Sequence, residues 1–393
     1  MDIVKEHRKN CIQCGQCIDI CPQYNDLNLI ESLYAYLENT QSINPVFLLS
    51  CLTCGLCLES CPEKLGIKPL ISQSRRKWVN ENGLSDRQTM VDPEANNNLF
   101  KKIAEMDSMP FYPSSLEREK LEAIESERVV YFPGCAGTYI NKVMAQATIA
   151  LLEKAKVDFT MLSGVEYCCG AVSAGSGDPG PISRNARRNI EEIHKRGAKI
   201  LITACPGCFK AFKDIYPKMF GNPGFEVMQV SQYLEYLIRE KKLCPDPIPN
   251  QKVFYHDPCH LTRGMGVYNE ARNVLQAIPG AVLANKTPEN SACCGFGGGV
   301  RVNSPIRSLN IALGRYRAAE KLDCDVIITN CGGCMQNLIE AGKYEKIKVF
   351  DLAEYLALAC KIDISRNDQE MLRLVNDAYK LCIEHYPELD SNN

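Results

Sequence analysis

The chain has 393 residues, more than one hydrophobic core usually serves, so two or three domains are expected. Its 45% hydrophobic and 23% charged content is that of an ordinary globular protein, and a formal charge of −2 excludes a global field that would draw it to nucleic acid or anionic lipid. Met1 to Asn10 are charged and lack a secretory apolar stretch, no run approaches the ~18 apolar residues of a membrane span, and a cytoplasmic protein is expected. Thiols stay reduced in that compartment, so the 22 cysteines point to metal binding or redox chemistry and away from a disulfide framework.

The first elements are two runs, Cys11-x-x-Cys14-x-x-Cys17-x-x-x-Cys21-Pro22 and Cys51-x-x-Cys54-x-x-Cys57-x-x-x-Cys61-Pro62. This is the spacing that holds ferredoxin-type iron–sulfur clusters. Three thiolates of a run wrap one face of a four-iron cubane and the fourth comes from the other run. Cys11, Cys14, Cys17 and Cys61 then form one ligand set, and Cys51, Cys54, Cys57 and Cys21 the other. Zinc is the alternative, but its sites use four ligands as two pairs and give the Cys-Pro ending no role. Between the runs, Leu27 to Leu37 carries apolar residues at helical spacing, which predicts a helical two-cluster unit over residues 1–80. Residues 66–126 pass through Arg75-Arg76-Lys77 and a Pro-, Asn- and Ser-containing stretch into the charged Leu116 to Arg128. They read as linker and packing helices with little chemistry, the connector being 81–127.

From Val129 an internal repeat dominates. Cys135, Cys168-Cys169-Gly170 and Cys205-Pro206-Gly207-Cys208 return as Cys259, Cys293-Cys294-Gly295 and Cys331-Gly332-Gly333-Cys334. The intervals are 32 and 33 residues before the paired cysteines, then 35 and 36 before the Cys-x-x-Cys. Val129 to Phe132 and Lys252 to Tyr255 predict buried strands just ahead of the first cysteine of each set. Pro181-Ile182 and Pro305-Ile306 open helices, with proline in the first turn. Lys199 to Thr203 and Asp325 to Thr329 are strands before each Cys-x-x-Cys, and Phe225 to Val230 and Ile347 to Phe350 are strands before further helices. Strands alternating with helices predict an α/β class with parallel sheets, one unit over 128–248 and one over 249–363, followed by a helical tail over 364–393. Cysteines at strand ends can meet in one crevice.

Five thiols exceed the four that zinc or an ordinary cubane takes, so a larger or more open iron–sulfur assembly suits each set. Buried structural cysteines with occasional disulfides would leave the match between the two sets unexplained; Cys244, Cys324, Cys360 and Cys382, outside every motif, read as ordinary core or surface thiols.

The doubled Cys-(x)-Cys-Cys-Gly-(x)-Cys-x-x-Cys pattern resembles the CCG domain, and its fusion to a two-cluster ferredoxin resembles the D-type catalytic subunit of heterodisulfide reductase. Cys293-Cys294-Gly295-Phe296-Gly297-Gly298-Gly299-Val300-Arg301 is especially similar to that family's second repeat. The resemblance implies two noncubane [4Fe-4S] clusters, one on Cys135, Cys168, Cys169, Cys205 and Cys208, the other on Cys259, Cys293, Cys294, Cys331 and Cys334. Two [4Fe-4S] cubanes would feed them, and a small disulfide such as CoM-S-S-CoB would be cleaved to two thiols between them. The same architecture resembles the iron–sulfur subunits of glycolate, lactate and anaerobic glycerol-3-phosphate dehydrogenases. The alternative is therefore an electron relay from a flavoprotein to a quinone. The first repeat departs from the glycine-rich form at Ala171-Val172-Ser173-Ala174-Gly175.

Around these sets, Gly297, Gly298 and Gly299 permit close approach of the backbone to a cofactor, or serve as a turn. His260, next to Cys259, is a candidate proton donor for disulfide reduction, with His256 behind it. Arg301, with Arg263, is a candidate for holding an anionic thiol substrate. No G-x-G-x-x-G follows a strand and opens a helix, so neither flavin nor nicotinamide is expected on this chain. Electrons must then arrive from a partner such as a flavoprotein, a membrane cytochrome b, or a hydrogenase or formate dehydrogenase module, and that partner would be what brings the chain to the membrane surface.

Overall fold

The computed structural model describes residues 3–24, 28–107, 128–286 and 292–386. The charged stretch from Leu116 to Glu127 and the last residues of the tail, 387–393, lie outside them.

Two four-stranded sheets, all parallel, carry the repeats. The first has the order β2-β1-β3-β4, with β1 Val129–Phe132, β2 Phe159–Met161, β3 Ile200–Thr203 and β4 Glu226–Gln229. The second repeats that order as β6-β5-β7-β8, with β5 Gln251–Tyr255, β6 Ala281–Leu283, β7 Val326–Thr329 and β8 Lys348–Asp351. The central strands β1 and β7 are buried along their whole length, as continuous β-branched and aromatic runs require when helices cover both faces of a parallel sheet. The proline-opened helices span Gly180–Lys195 and Pro305–Glu320. The last strand of each sheet ends on a residue that caps the next helix. Gln229 accepts from the Ser231 amide at 2.6 Å ahead of Val230–Arg239, and Asp351 accepts from the Ala353 amide at 2.9 Å ahead of Leu352–Ala359.

The repeats pack through a pseudo-two-fold. The helix after β1, Lys142–Lys154, lies on the helix after β8, Leu352–Ala359; the helix after β4, Val230–Arg239, lies on Glu270–Gln276, which follows β5. First helix meets last helix in both directions, the isologous arrangement of a two-fold pair. A single core containing Leu151, Leu152, Leu234, Leu275 and Leu356 runs through both repeats, so the ends of the two sheets that carry the cysteines are held facing one another.

Ahead of the sheets stands a helical unit. Asn28–Leu37 packs against Lys68–Asn82, and Leu29, Leu33, Leu70 and Ile71 form its core. Helix Lys68–Asn82 packs as part of this unit, although the sequence reads the chain from residue 66 as linker and packing helices. The C-terminal helix Asp368–Cys382 packs on Leu99–Met106. No helix among the described residues is long and apolar enough to cross a membrane.

Candidate metal centres

The two ferredoxin loops share one backbone conformation. Gln13 and Thr53 have φ of 54° and 51°, and Gly15 and Gly55 φ of 80° and 77°. These left-handed turns curl each Cys-x-x-Cys and aim both thiols to one side, and each glycine leads into a short helix carrying the third cysteine. One cavity is lined by Cys11, Cys14, Cys17 and Cys61, a second by Cys21, Cys51, Cys54 and Cys57. These are the two interleaved sets that the spacing predicts. Burial pushes the Cys51 and Cys57 thiols up, and the amides of Thr53 and Ile67, pointing at Cys51 Sγ (3.4 Å) and Cys57 Sγ (3.3 Å), offset it only in part. Cys14 is exposed, with Ile12 beside it 61% exposed.

The five-cysteine sets are built alike. In the first, Cys208 Sγ lies 3.3 Å from Cys169 Sγ and the Gly170 amide 3.5 Å from Cys168 Sγ. In the second, Cys294 Sγ lies 3.3 Å from Cys334 Sγ and the Gly295 amide 3.4 Å from Cys293 Sγ. All are free thiols, and all but Cys135, Cys205 and Cys331 are buried. Hydrogen bonds from Cys135 and Cys169 hold the Cys168 thiol well below its ordinary value, as those from Cys293 and Cys334 do for Cys294. Their partners Cys169 and Cys334 are pushed well above it, chiefly by donating those bonds. Thiols crowded out of water cannot all ionise unless cations join them. An all-sulfur donor set of this size fits iron–sulfur chemistry and overfills a zinc site.

The sets face one another across the seam. Asn141 Nδ2, just after the Cys135 loop, donates to the Gly332 carbonyl at 2.7 Å, inside the second Cys-x-x-Cys. His260, the residue after Cys259, has Nδ1 3.5 Å from Cys259 Sγ and also interacts with the Cys205 thiol of the first set. Burial disfavours its imidazolium, but the Cys259 thiolate outweighs burial and raises its pKa. In the first repeat the residue after Cys135 is Ala136, whose methyl packs on Gly332. The seam therefore carries an imidazole on one side and a methyl on the other.

The ferredoxin unit meets the second set directly. Cys54 is drawn down to about 7 by its hydrogen bond from Cys293, and packs with Leu52, Cys259, Cys293 and Val300. Gly297 and Gly298, named from the sequence for close approach to a cofactor, here lie against the backbone of this ferredoxin loop. A Cβ on Gly297 would stand 2.8 Å from Leu52 O, and one on Gly298 2.0 Å from Cys51 O.

Arg301 has other neighbours than an anionic substrate. It is 1% exposed, bonds Glu340 and the Tyr386 hydroxyl at 2.6 Å each, and lies over the Tyr379 ring, so its charge ties the second repeat to the C-terminal helix. Arg263 donates to the Cys54 carbonyl at 2.9 Å, again at the ferredoxin seam. His256, which the sequence sets behind His260, is 2% exposed and forms with Cys294 and Cys334 a group whose ligand atoms lie within 4.8 Å of one another. Of the leftover cysteines, Cys324, Cys360 and Cys382 are buried and Cys244 exposed.

Known proteins align with this arrangement. Residues 3–66 match the 4Fe-4S dicluster domain, and residues 129–213 and 253–339 match the cysteine-rich domain CCG. The D-type subunit of the dihydromethanophenazine:CoB–CoM heterodisulfide reductase of Methanosarcina barkeri is 30% identical over 393 residues, covering 90% of this chain and 94% of that protein. The chain belongs to the family of D-type heterodisulfide reductase subunits. Its counterpart in Methanosarcina mazei is 34% identical over 286 residues, 70% of each chain. The EtfAB:quinone oxidoreductase of Syntrophomonas wolfei is 35% identical over 59% of this chain and 34% of that protein. Among solved structures, a hypothetical protein from Helicobacter pylori shares the fold with a TM-score of 0.57 at 12% identity, over 94% of this chain and 74% of that one. As a member of the heterodisulfide reductase family, the chain is an iron–sulfur oxidoreductase component of α/β fold with repeated CCG domains.

Proposed function

We propose that the chain reduces a low-molecular-weight disulfide to two thiols in the crevice between its two five-cysteine sets, using electrons delivered through the ferredoxin unit by a partner subunit. The observation that carries this reading is the facing of two complete five-thiol sets across one seam, with His260 against Cys259 and near enough to Cys205 for their charges to interact. A disulfide has two sulfurs to receive. RSSR′ + 2 e⁻ + 2 H⁺ gives RSH + R′SH, so each set would take one sulfur while two protons are supplied. The bound clusters, two cubanes and two of noncubane type, would supply one-electron transfer and iron that binds thiolate. The protein's own part is to converge the thiols, to bring Cys54 against Cys293 so that electrons enter at the second set, and to hold a proton on the His260 imidazole. The name of the Methanosarcina enzyme, a CoB–CoM heterodisulfide reductase, supports a mixed disulfide of two small thiols as substrate.

A relay between a flavoprotein and a quinone is the second reading, favoured by the likeness to the Syntrophomonas EtfAB:quinone oxidoreductase. Anaerobically prepared chain, given an artificial one-electron donor, separates them. The first reading expects turnover of a small disulfide without a partner and about 16 irons per chain with matching sulfide. Eight irons with stoichiometric zinc, or full iron without disulfide turnover, overturns it.

A further inference from the structure

Arg75, on helix Lys68–Asn82, is 1% exposed. Its guanidinium donates to Leu48 O from Nε at 2.9 Å and from Nη2 at 2.7 Å, to Cys51 O at 2.8 Å and to Gly175 O at 2.8 Å. All these acceptors are neutral carbonyls, and among the described residues no carboxylate forms an ion pair with it. Arg272 and Arg301, buried as deeply, each bring an acid: Asp257 and Glu340, both at 2.6 Å. A guanidinium out of water without an anion is strongly disfavoured, so one must lie near. Beside it is the second ferredoxin cavity, lined by Cys21, Cys51, Cys54 and Cys57, and the carbonyl of one of those residues is already in its grip.

We propose that Arg75 is the internal counter-charge of the centre held by Cys21, Cys51, Cys54 and Cys57, raising its reduction potential while fastening it to the first repeat at Gly175. Four thiolates around an iron–sulfur core carry net negative charge, and adding one electron makes it more negative by one. A fixed cation stabilises the reduced form more than the oxidised one, and a low dielectric enlarges the difference. The consequence falls on the centre that touches Cys293, where electrons leave the ferredoxin unit. The inference rests on the cluster assignment of that unit and is independent of which substrate the repeats reduce.

The test is a redox titration of the full chain followed by electron paramagnetic resonance, without substrate, in Arg75→Gln, which keeps donors and loses the charge, and Arg75→Lys, which keeps the charge. A parallel Cys54→Ala preparation identifies the signal of this centre. Arg75→Gln is expected to lower its potential by at least a tenfold change in the reduction equilibrium, about 59 mV for one electron. Iron content and the other signals should stay unchanged, and Arg75→Lys should titrate near the parent. An unchanged potential in Arg75→Gln, or an equal shift in both variants, overturns the proposal in favour of a purely structural clamp. Should Arg75→Gln lose the centre, its retention in Arg75→Lys at the parent potential supports the counter-charge, and its loss from both variants overturns it.

Discussion

Asn141 of the first repeat donates a 2.7 Å hydrogen bond to the carbonyl of Gly332, between Cys331 and Cys334 of the second. The bond is buried, and a methyl group at Gly332 would stand 2.6 Å from Ala136 Cβ, so the two cysteine loops touch with no room between them. Asn141→Ala strands the Gly332 carbonyl away from water, a loss of about 1–3 kcal/mol. Anaerobic chemical denaturation should register that loss with iron content retained. A midpoint equal to the parent's means that the seam is held elsewhere.

Gly298 faces a harder limit. Its φ is +64° and an added Cβ would fall 2.0 Å from the Cys51 carbonyl, backbone that has no side chain to swing aside. Gly266 is the control, since its backbone is left-handed, φ +73° and ψ 14°, with nothing within 4 Å of an added Cβ. Gly266→Ala should cost only the left-handed backbone penalty, about 1–2 kcal/mol. Gly298→Ala should cost more, and should slow electron delivery from the ferredoxin unit to the second repeat with iron still bound. Equal effects of the two changes, measured by denaturation and by transfer rate, would remove the docking role assigned to Gly298.

The cysteine spacing and the β-branched runs carry most of this architecture in the sequence, because ligand sets and buried parallel strands are local patterns. Strands β2 and β6 escape, being three residues each, too short to show periodicity. Arg75 escapes for another reason. Arg75-Arg76-Lys77 falls in a stretch that reads as linker and packing helices with little chemistry, and only the meeting of segments around residues 48, 51 and 175 takes Arg75 out of water. Gly297-Gly298-Gly299 read as approaching a cofactor and Arg301 as holding a substrate, whereas their neighbours, Cys51, Leu52 and Glu340, are set by tertiary packing that no local pattern carries.

Asp351 gives stability a pH dependence of defined sign. It caps helix Leu352–Ala359 through one oxygen while Oδ2 is buried without a hydrogen-bond partner. Burial, with Glu354 adding like charge against the amides of Ala353 and Glu354, pushes its carboxyl up to about 7. The folded chain then holds a proton that the unfolded chain releases near pH 4, so the native state binds more protons and stability falls as pH rises from about 4 to about 7. The full span is worth at most about 4 kcal/mol. Asp351→Asn, an equally good cap, should flatten this slope between pH 5.5 and 8. Parallel slopes in the two proteins would assign the proton elsewhere.

His260 stands where the two five-cysteine sets meet, and the test of a shared site is that neither set suffices alone. With the second set intact, Cys169→Ala should abolish disulfide turnover; with the first intact, Cys294→Ala should do the same, since each disulfide sulfur needs its own thiolate-lined half of the crevice. His260→Ala removes the imidazole beside Cys259, whose charge also reaches Cys205, but no ligand thiol. It should slow turnover by roughly 10²–10⁴, the range of lost general-acid catalysis, with iron and sulfide unchanged. A denaturation midpoint matching the parent's, alongside unchanged iron and sulfide, separates lost activity from misfolding. If Cys169→Ala or Cys294→Ala still cleaved disulfides at the parent rate, the crevice would not be the reaction site. The chain would then be read as a relay, with the ferredoxin unit and the second repeat, joined at Cys54 and Cys293, as its conducting path.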